Sequence, residues 1–238
     1  MRTISFFSAK GGTGKTTFNM LLTSWLKYEK GLRTAVLDFD SPEFNLSYTR
    51  KRELKYLQDK GLTPDEKQLY PILEIEDYES RKSLQVVRNL MIDAAGSLDV
   101  LILDFGGSFN DGDPVLDLVQ AGLVDLIVIP LEMDGMILSS GKSLASVLEQ
   151  LGQKTLLFFN KVHGKEKPQL YVELERWLAE DGLTVSTHRI KNTVKLRRDA
   201  DNGSNFLRST VSFPCKEMQE INPELIQLFE EVSGYGGD

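Results

Sequence analysis

The sequence predicts an α/β fold, with a mostly parallel, twisted sheet flanked by helices on both faces. Short, nearly continuous apolar runs recur along the chain, which is typical of strands covered on both sides. Stretches with a helical spacing of apolar residues lie between them. At 238 residues the chain is long enough for one large buried sheet. We therefore expect a single domain over residues 1–238, with a frayed tail at 234–238.

The elements follow in order from these patterns. The predicted strands are 2–7, 33–39, 70–75, 100–103, 125–130, 154–159 and 185–190. The predicted helices are 16–30, 83–94, 114–121, 139–151, 168–178 and 223–232. The first helix is set by apolar residues at i, i+3, i+4 and i+7 from Phe18 and by Gly31 as its cap. Asp113 followed by Pro114 is a typical helix start.

The loop between the first strand and the first helix carries the most specific motif. Residues 10–17 read Lys-Gly-Gly-Thr-Gly-Lys-Thr-Thr. The glycines allow several backbone N–H groups to point at one anion, and the following helix presents its N-terminus to the same anion. Lys15 would reach the β- and γ-phosphates of a nucleotide, and the Thr16 hydroxyl would hold Mg²⁺. Ala9 replaces the first glycine of the general G-x-x-x-x-G-K-[ST] pattern.

A carboxylate at the end of a nearby strand is needed to organise Mg²⁺ through water. Asp104 ends the apolar run Val-Leu-Ile-Leu and resembles a Walker B aspartate, so we assign it to the metal site together with Thr16.

The variant K-G-G-x-G-K-[ST] is matched in full, and through it the sequence resembles the ParA/MinD (Soj-like) deviant Walker A P-loop ATPases, in particular short ParA-type partition proteins of plasmids or conjugative elements. The resemblance implies ATP and Mg²⁺ as cofactors. The nucleotide-binding residues that it implies are Gly11, Gly12, Thr13, Gly14, Lys15, Thr16 and Thr17.

The resemblance also implies the catalytic residues Lys10, Lys15 and Asp40. Lys10 would cross a dimer interface to the phosphates of the partner subunit, which makes ATP part of a homodimer. Asp40 aligns with the carboxylate that positions the attacking water, although Ser41 is inserted before Pro42. Phe-Gly-Gly follows Asp104 where the family usually has Thr-Pro-Pro.

The end of the strand 154–159 indicates the base. Asn160 and Lys161 resemble the start of the guanine-reading N-K-x-D motif, but His163 stands where the aspartate would be, which favours adenine. By resemblance, Asn160 contacts the adenine, and residues 190–203 flank it.

The output of such an ATPase is narrowed by composition. The iron–sulfur branch of the family needs two cysteines per subunit, and Cys215 is the only cysteine, so that branch is excluded. The last helix is acidic, which does not favour membrane binding. The net charge is −7, yet residues 189–208 hold six basic residues against two acids. ParA proteins use this region to hold DNA phosphates, so we expect nonspecific DNA contacts. A solvated basic surface without a ligand is the alternative. The expected DNA-contacting residues are Lys191, Lys195, Arg197 and Arg198.

The implied function is slow, switch-like, Mg²⁺-dependent ATP hydrolysis by a homodimer. The dimer would act in partition or maintenance of a plasmid, chromosome or conjugative element, through nonspecific DNA binding and a ParB-like activating protein. The alternatives are a nucleotide-gated scaffold that positions a protein complex without DNA, and an amidotransferase-like or metal-insertion enzyme. Because the sequence has neither a signal segment nor an apolar run of membrane-spanning length, we expect a cytoplasmic protein without a membrane partner.

Overall fold

The computed structural model describes residues 1–76, 81–107, 113–193 and 208–234. In the described chain, six strands form one sheet in the order β3-β2-β4-β1-β5-β6, and every neighbouring pair is parallel. The strands are β1 (Arg2–Phe6), β2 (Thr34–Asp38), β3 (Ile72–Glu74), β4 (Val100–Asp104), β5 (Leu126–Leu131) and β6 (Thr155–Phe159). The predicted fold class is confirmed.

Helices connect the strands and cover both faces of the sheet. They are α1 (Lys15–Tyr28), α2 (Asn45–Asp59), α3 (Arg81–Ala94), α4 (Pro114–Gln120), α5 (Gly135–Gln150), α6 (Pro168–Glu180), α7 (Cys215–Ile221) and α8 (Pro223–Gly234), with a 3₁₀ turn at Glu66–Gln68. Proline opens α4 and α6, where its missing N–H costs no hydrogen bond. Asp134 caps α5 by accepting from the N–H groups of Met136 and Ile137.

Two apolar cores lie on opposite faces of the sheet. Successive strand residues point to opposite sides, so Ile102 of β4 belongs to one core while its neighbours Leu101 and Leu103 belong to the other. The first core packs the sheet against α1 and α8, and the second packs it against α3 to α6. In α8, Leu228 and Phe229 are completely buried, so its apolar face packs in the core.

The strand order determines where a ligand would bind. β1 lies between β4 and β5; β2, β3 and β4 lie on one side of it, and the chain then crosses to the other side for β5 and β6. In open parallel sheets such a switch point leaves a crevice beyond the carboxyl ends of the strands. The loop from Phe7 to Gly14 emerges there, and the register places Asp38 beside Asp104 at the same edge.

The prediction of a strand at 185–190 is wrong. Within the described chain this segment makes one isolated bridge, at Val185 with Leu157, and Lys191, directly after it, makes another with Val162. Between the bridges, the N–H groups of Ser186 and Ile190 still donate to carbonyl oxygens of β6. The N–H of His188 donates instead to the Ser186 hydroxyl at 3.1 Å, which interrupts the ladder, while the side chains of Ser186 and His188 bond to glutamates of α8. The helices α2 and α7 were not predicted. Of the predicted tail, residues 235–238 lie outside the described residues.

The described helices include none that is both long enough and apolar enough to cross a bilayer.

Candidate nucleotide site

The loop between β1 and α1 has the geometry of an anion-binding turn. Gly12 and Gly14 adopt φ values of 78° and 99°, which residues with a Cβ rarely tolerate. Gly14 is also the N-cap of α1, and no side chain in the described part of the molecule caps that helix. The N–H groups of its first turn are therefore directed at the crevice, where they can bind an anion.

The two lysines of the motif take different positions. Lys15 is buried, and its Nζ atom lies 3.3 Å from the carbonyl oxygen of Lys10. Burial lowers the pKa of Lys15, an effect opposed by the carboxylates of Asp104 and Asp40. The side chain of Lys10, by contrast, is exposed.

Two residues directly after β6 hydrogen-bond to the backbone of the loop between β1 and α1. Asn160 donates from Nδ2 to the carbonyl oxygen of Thr13 at 2.8 Å, and Lys161 donates from Nζ to that of Gly12 at 2.6 Å. Lys161 also pairs with Glu132 at 2.6 Å. Asn160 therefore has a structural contact with the loop, and it also lines an adjacent cavity of about 300 Å³.

A pair of buried carboxylates stands behind the loop. Asp104 is completely buried, and its Oδ1 accepts from Asn19 Nδ2 at 2.8 Å and from Thr16 Oγ1 at 3.3 Å. Burial, reinforced by the nearby Asp38, raises the pKa of Asp104 to about 7. Burial likewise raises the pKa of Asp38 to about 6, although N–H groups of Ser47 and Asp40 stabilise its charged form.

These groups suit a magnesium ion that keeps most of its water. The second oxygen of Asp104, Oδ2, is buried and has no hydrogen-bond partner among the described residues, so it is available to a metal-bound water. The Thr16 hydroxyl adjoins the same carboxylate. No group of three or more His, Cys, Asp or Glu side chains in the described ranges could hold a metal by itself. Phosphate oxygens would have to complete the coordination.

Asp40 faces the crevice from the end of β2. Its Oδ2 accepts from Asn45 Nδ2 at 2.7 Å, which fixes the carboxylate. A Cβ atom on Gly106 would lie 3.1 Å from Asp40 Oδ1, and one on Gly107 would lie 3.2 Å from Lys15 Nζ. The two glycines, which stand where the resembled family has Pro-Pro, therefore allow this loop to approach both functional side chains closely.

The crevice holds two adjoining cavities. The larger, about 590 Å³, is lined by the glycine loop and Lys15, Asp40 and Gly107. The smaller contains Asn160 and Lys191. Lys191, predicted to contact DNA, thus lies beside the candidate base pocket. The other three expected DNA contacts, Lys195, Arg197 and Arg198, lie outside the described residues.

The structure adds residues that the sequence analysis did not select. Asn19 orients Asp104, and it interrupts an otherwise apolar stretch of α1, which was the available signal. Lys161 was noted only as part of a motif. Asn45 carried no signal, because its contact with Asp40 depends on a turn. Arg208 entered the sequence analysis only as one of the six basic residues of 189–208, because its partner Thr17 is distant in sequence.

A family model described as the CobQ/CobB/MinD/ParA nucleotide binding domain matches residues 4–206. Among solved structures, the cell division ATPase MinD of Pyrococcus furiosus is 18% identical with a TM-score of 0.66, covering 97% of this chain and 98% of that one. A MinC:MinD cell division complex of Aquifex aeolicus gives 17% identity and a TM-score of 0.66, with 99% and 97% covered. A plasmid partition protein of Borrelia burgdorferi bound to AMPPNP gives 17% and 0.59, with 97% and 98% covered. A search of curated proteins found no match. At sequence identities below 20%, these similarities establish the fold and nothing more.

Proposed function

Because the chain belongs to the CobQ/CobB/MinD/ParA family of nucleotide-binding domains, we propose that it is an ATP-dependent dimerising ATPase of ParA type. It would act in partition or maintenance of a plasmid, chromosome or conjugative element, through nonspecific DNA binding and a ParB-like activating protein. The observation that carries the proposal is one cavity that brings together the glycine loop, Lys15 and Asp40.

Phosphate binding follows from the loop. The N–H groups around Gly12 and Gly14 surround the position of a phosphate, and Lys15 neutralises its charge. The lowered pKa of Lys15 reflects the cost of burying an ammonium group, and a bound polyphosphate would offset that cost. Thr16 and Asp104 would hold a Mg²⁺ ion, which would neutralise charge on the β- and γ-phosphates.

Hydrolysis would depend on Asp40. It is half-buried, lines the larger cavity, and is held by Asn45, so it can orient a water molecule against the terminal phosphate. A single oriented carboxylate without a metal-activated nucleophile is consistent with slow turnover. Orientation and charge neutralisation are what phosphoryl transfer requires of a protein.

Dimerisation would depend on Lys10. Its side chain is exposed at the mouth of the loop, whereas Lys15 is buried and serves its own subunit. An exposed lysine at this place can reach the phosphates of a second copy, and the ATP would then form part of the interface. The plasmid partition proteins among the similar solved structures support the choice of a partition role.

The test is binding of random-sequence duplex DNA by Asp40→Ala, with and without ATP-Mg²⁺, across a salt series. Loss of Asp40 should stop hydrolysis and preserve the ATP-bound dimer. We expect DNA binding only with ATP and a steep loss of binding with salt, because the contacts are to phosphates. Asp59→Ala, which removes an exposed carboxylate at the far end of α2, is the matched control.

Three other outcomes would each contradict a separate part of the proposal. If Asp40→Ala dimerises with ATP but does not bind DNA at low salt, the DNA role is rejected and the nucleotide-gated scaffold is favoured. If Asp40→Ala hydrolyses ATP at the rate of the unmodified protein, Asp40 is not the hydrolytic residue. If Lys10→Ala still dimerises with ATP, the proposed role of Lys10 fails.

A further inference from the structure

Arg208 lies where the two cavities of the crevice meet. It lines the larger cavity together with the glycine loop and the smaller one together with Asn160. Its Nη1 atom donates to the hydroxyl of Thr17, in the first turn of α1, at 3.3 Å. An arginine therefore reaches the phosphate loop from a distant part of the chain, 191 positions away in sequence.

The position of Arg208 is determined by buried contacts of the two residues that follow it. Ser24 donates its hydroxyl to the carbonyl oxygen of Ser209 at 2.6 Å. The N–H of Thr210, which is completely buried, donates to Glu53 Oε2 at 2.8 Å, and Arg50 donates to the Thr210 carbonyl oxygen at 2.8 Å. The backbone next to Arg208 is thus bound to α1 and α2.

The chemistry and the position of Arg208 together indicate which group of a nucleotide it would bind. Lys15 serves the β- and γ-phosphates and Thr16 the metal, whereas the base belongs in the smaller cavity near Asn160. Between these lies the α-phosphate, and Thr17, which bonds to Arg208, is one of the loop residues that line both cavities. A guanidinium group is suited to a phosphate because its planar N–H groups match two phosphate oxygens. We propose that Arg208 binds the α-phosphate of the nucleotide, an inference that rests on the proposed function.

The contact has a consequence for nucleotide preference. ATP and ADP share the α-phosphate, so Arg208 would strengthen binding of both equally and would not distinguish the two nucleotide states. Adenosine, without phosphate, would gain nothing from it. This pattern separates an α-phosphate contact from a γ-phosphate sensor and from a base contact.

The test measures dissociation constants of ATP, ADP and adenosine for Arg208→Gln, Arg208→Lys and the unmodified protein by titration calorimetry. We expect Arg208→Gln to weaken ATP and ADP by the same factor, about tenfold or more, and to leave adenosine unchanged. Arg208→Lys keeps the positive charge but loses the planar pair of N–H donors, so its affinities for ATP and ADP should lie between those of Arg208→Gln and the unmodified protein. The control is Arg33→Gln, which changes an exposed arginine directly before β2 that pairs with Asp99. This change should leave all three dissociation constants unaltered.

A second readout excludes a merely structural role. The unmodified protein should discriminate between the two diastereomers of ATP that carry sulfur on the α-phosphate, and Arg208→Gln should discriminate less. Unchanged affinity for ATP and ADP, a loss confined to ATP, an equal loss for adenosine, or unchanged discrimination would each overturn the proposal. If the unmodified protein itself binds neither ATP nor ADP, the proposed function fails instead.

Discussion

Replacing Asp104 by asparagine should stabilise the nucleotide-free protein at alkaline pH. The carboxyl group is completely buried, and its pKa is raised from 3.8 to about 7, chiefly by burial. A group whose pKa is raised in the folded state contributes stability below its unfolded pKa and loses that contribution as the pH rises through its folded pKa. The buried charge therefore destabilises the fold above neutral pH. Asparagine keeps an oxygen for Asn19 and Thr16 and carries no charge.

The size of the effect follows from the two pKa values. Between the unfolded value of 3.8 and the folded value of about 7, the carboxyl group destabilises the protein by up to about 1.4 kcal/mol per pH unit. The difference in free energy of unfolding between Asp104→Asn and the unmodified protein should thus grow by up to about 4 kcal/mol from about pH 4 to about pH 8. Asp38, whose pKa is also raised, contributes a slope of the same sign to both proteins, and because its carboxylate interacts with that of Asp104, this slope cancels only in part in the difference.

The assay is urea unfolding with a metal chelator and without nucleotide, repeated across this pH range. Asp59→Asn removes one exposed carboxylate and controls for net charge. A pH-independent difference between Asp104→Asn and the unmodified protein would refute the reasoning, and so would a variant that is less stable at high pH. In a parallel series with ATP, added Mg²⁺ should stabilise the unmodified protein further and should have little effect on the variant.

Two further predictions concern glycines. Gly141→Ala should lower the free energy of unfolding by about 1–3 kcal/mol, because its Cβ would lie 2.3 Å from Leu131 Cδ2. The control is Gly135→Ala, whose Cβ would meet no neighbouring atom of the described chain within 4 Å and which should not lower it. Thermal unfolding of the two variants compares them. Gly106→Ala should slow ATP turnover about tenfold at unchanged ATP affinity, because the methyl group would displace the Asp40 carboxylate by a few tenths of an ångström; unchanged turnover would show that this carboxylate is free to adjust.

The strands and the phosphate loop were accessible to sequence reasoning because their signals are local. Each of the first six predicted strands forms, since a continuous apolar run and its flanking turn residues specify a buried parallel strand. α2 was missed because it buries few apolar residues. Much of its attachment is polar, through Arg50 and Glu53 to Thr210, a residue more than 150 positions away.

The same distinction applies to the site. The motif identified Lys15 and Thr16, and the strand end identified Asp104, because a local sequence pattern marks each of these residues. The roles of Asn19 and Arg208 depend on contacts across the fold. The segment 185–190 has the composition of a strand, but the N–H of His188 bonds to the Ser186 hydroxyl and not to β6, so the pairing with β6 is interrupted.

The hydrogen bonds from Asn160 and Lys161 to the carbonyl oxygens of Thr13 and Gly12 have a kinetic consequence. They hold the loop in a ligand-ready shape before any nucleotide arrives, so little conformational entropy is lost on binding. Association should then approach the rate set by diffusion, and nucleotides should differ mainly in how long they remain bound. The association rate at this site is accordingly governed in part by an asparagine and a lysine that act through the backbone of the loop.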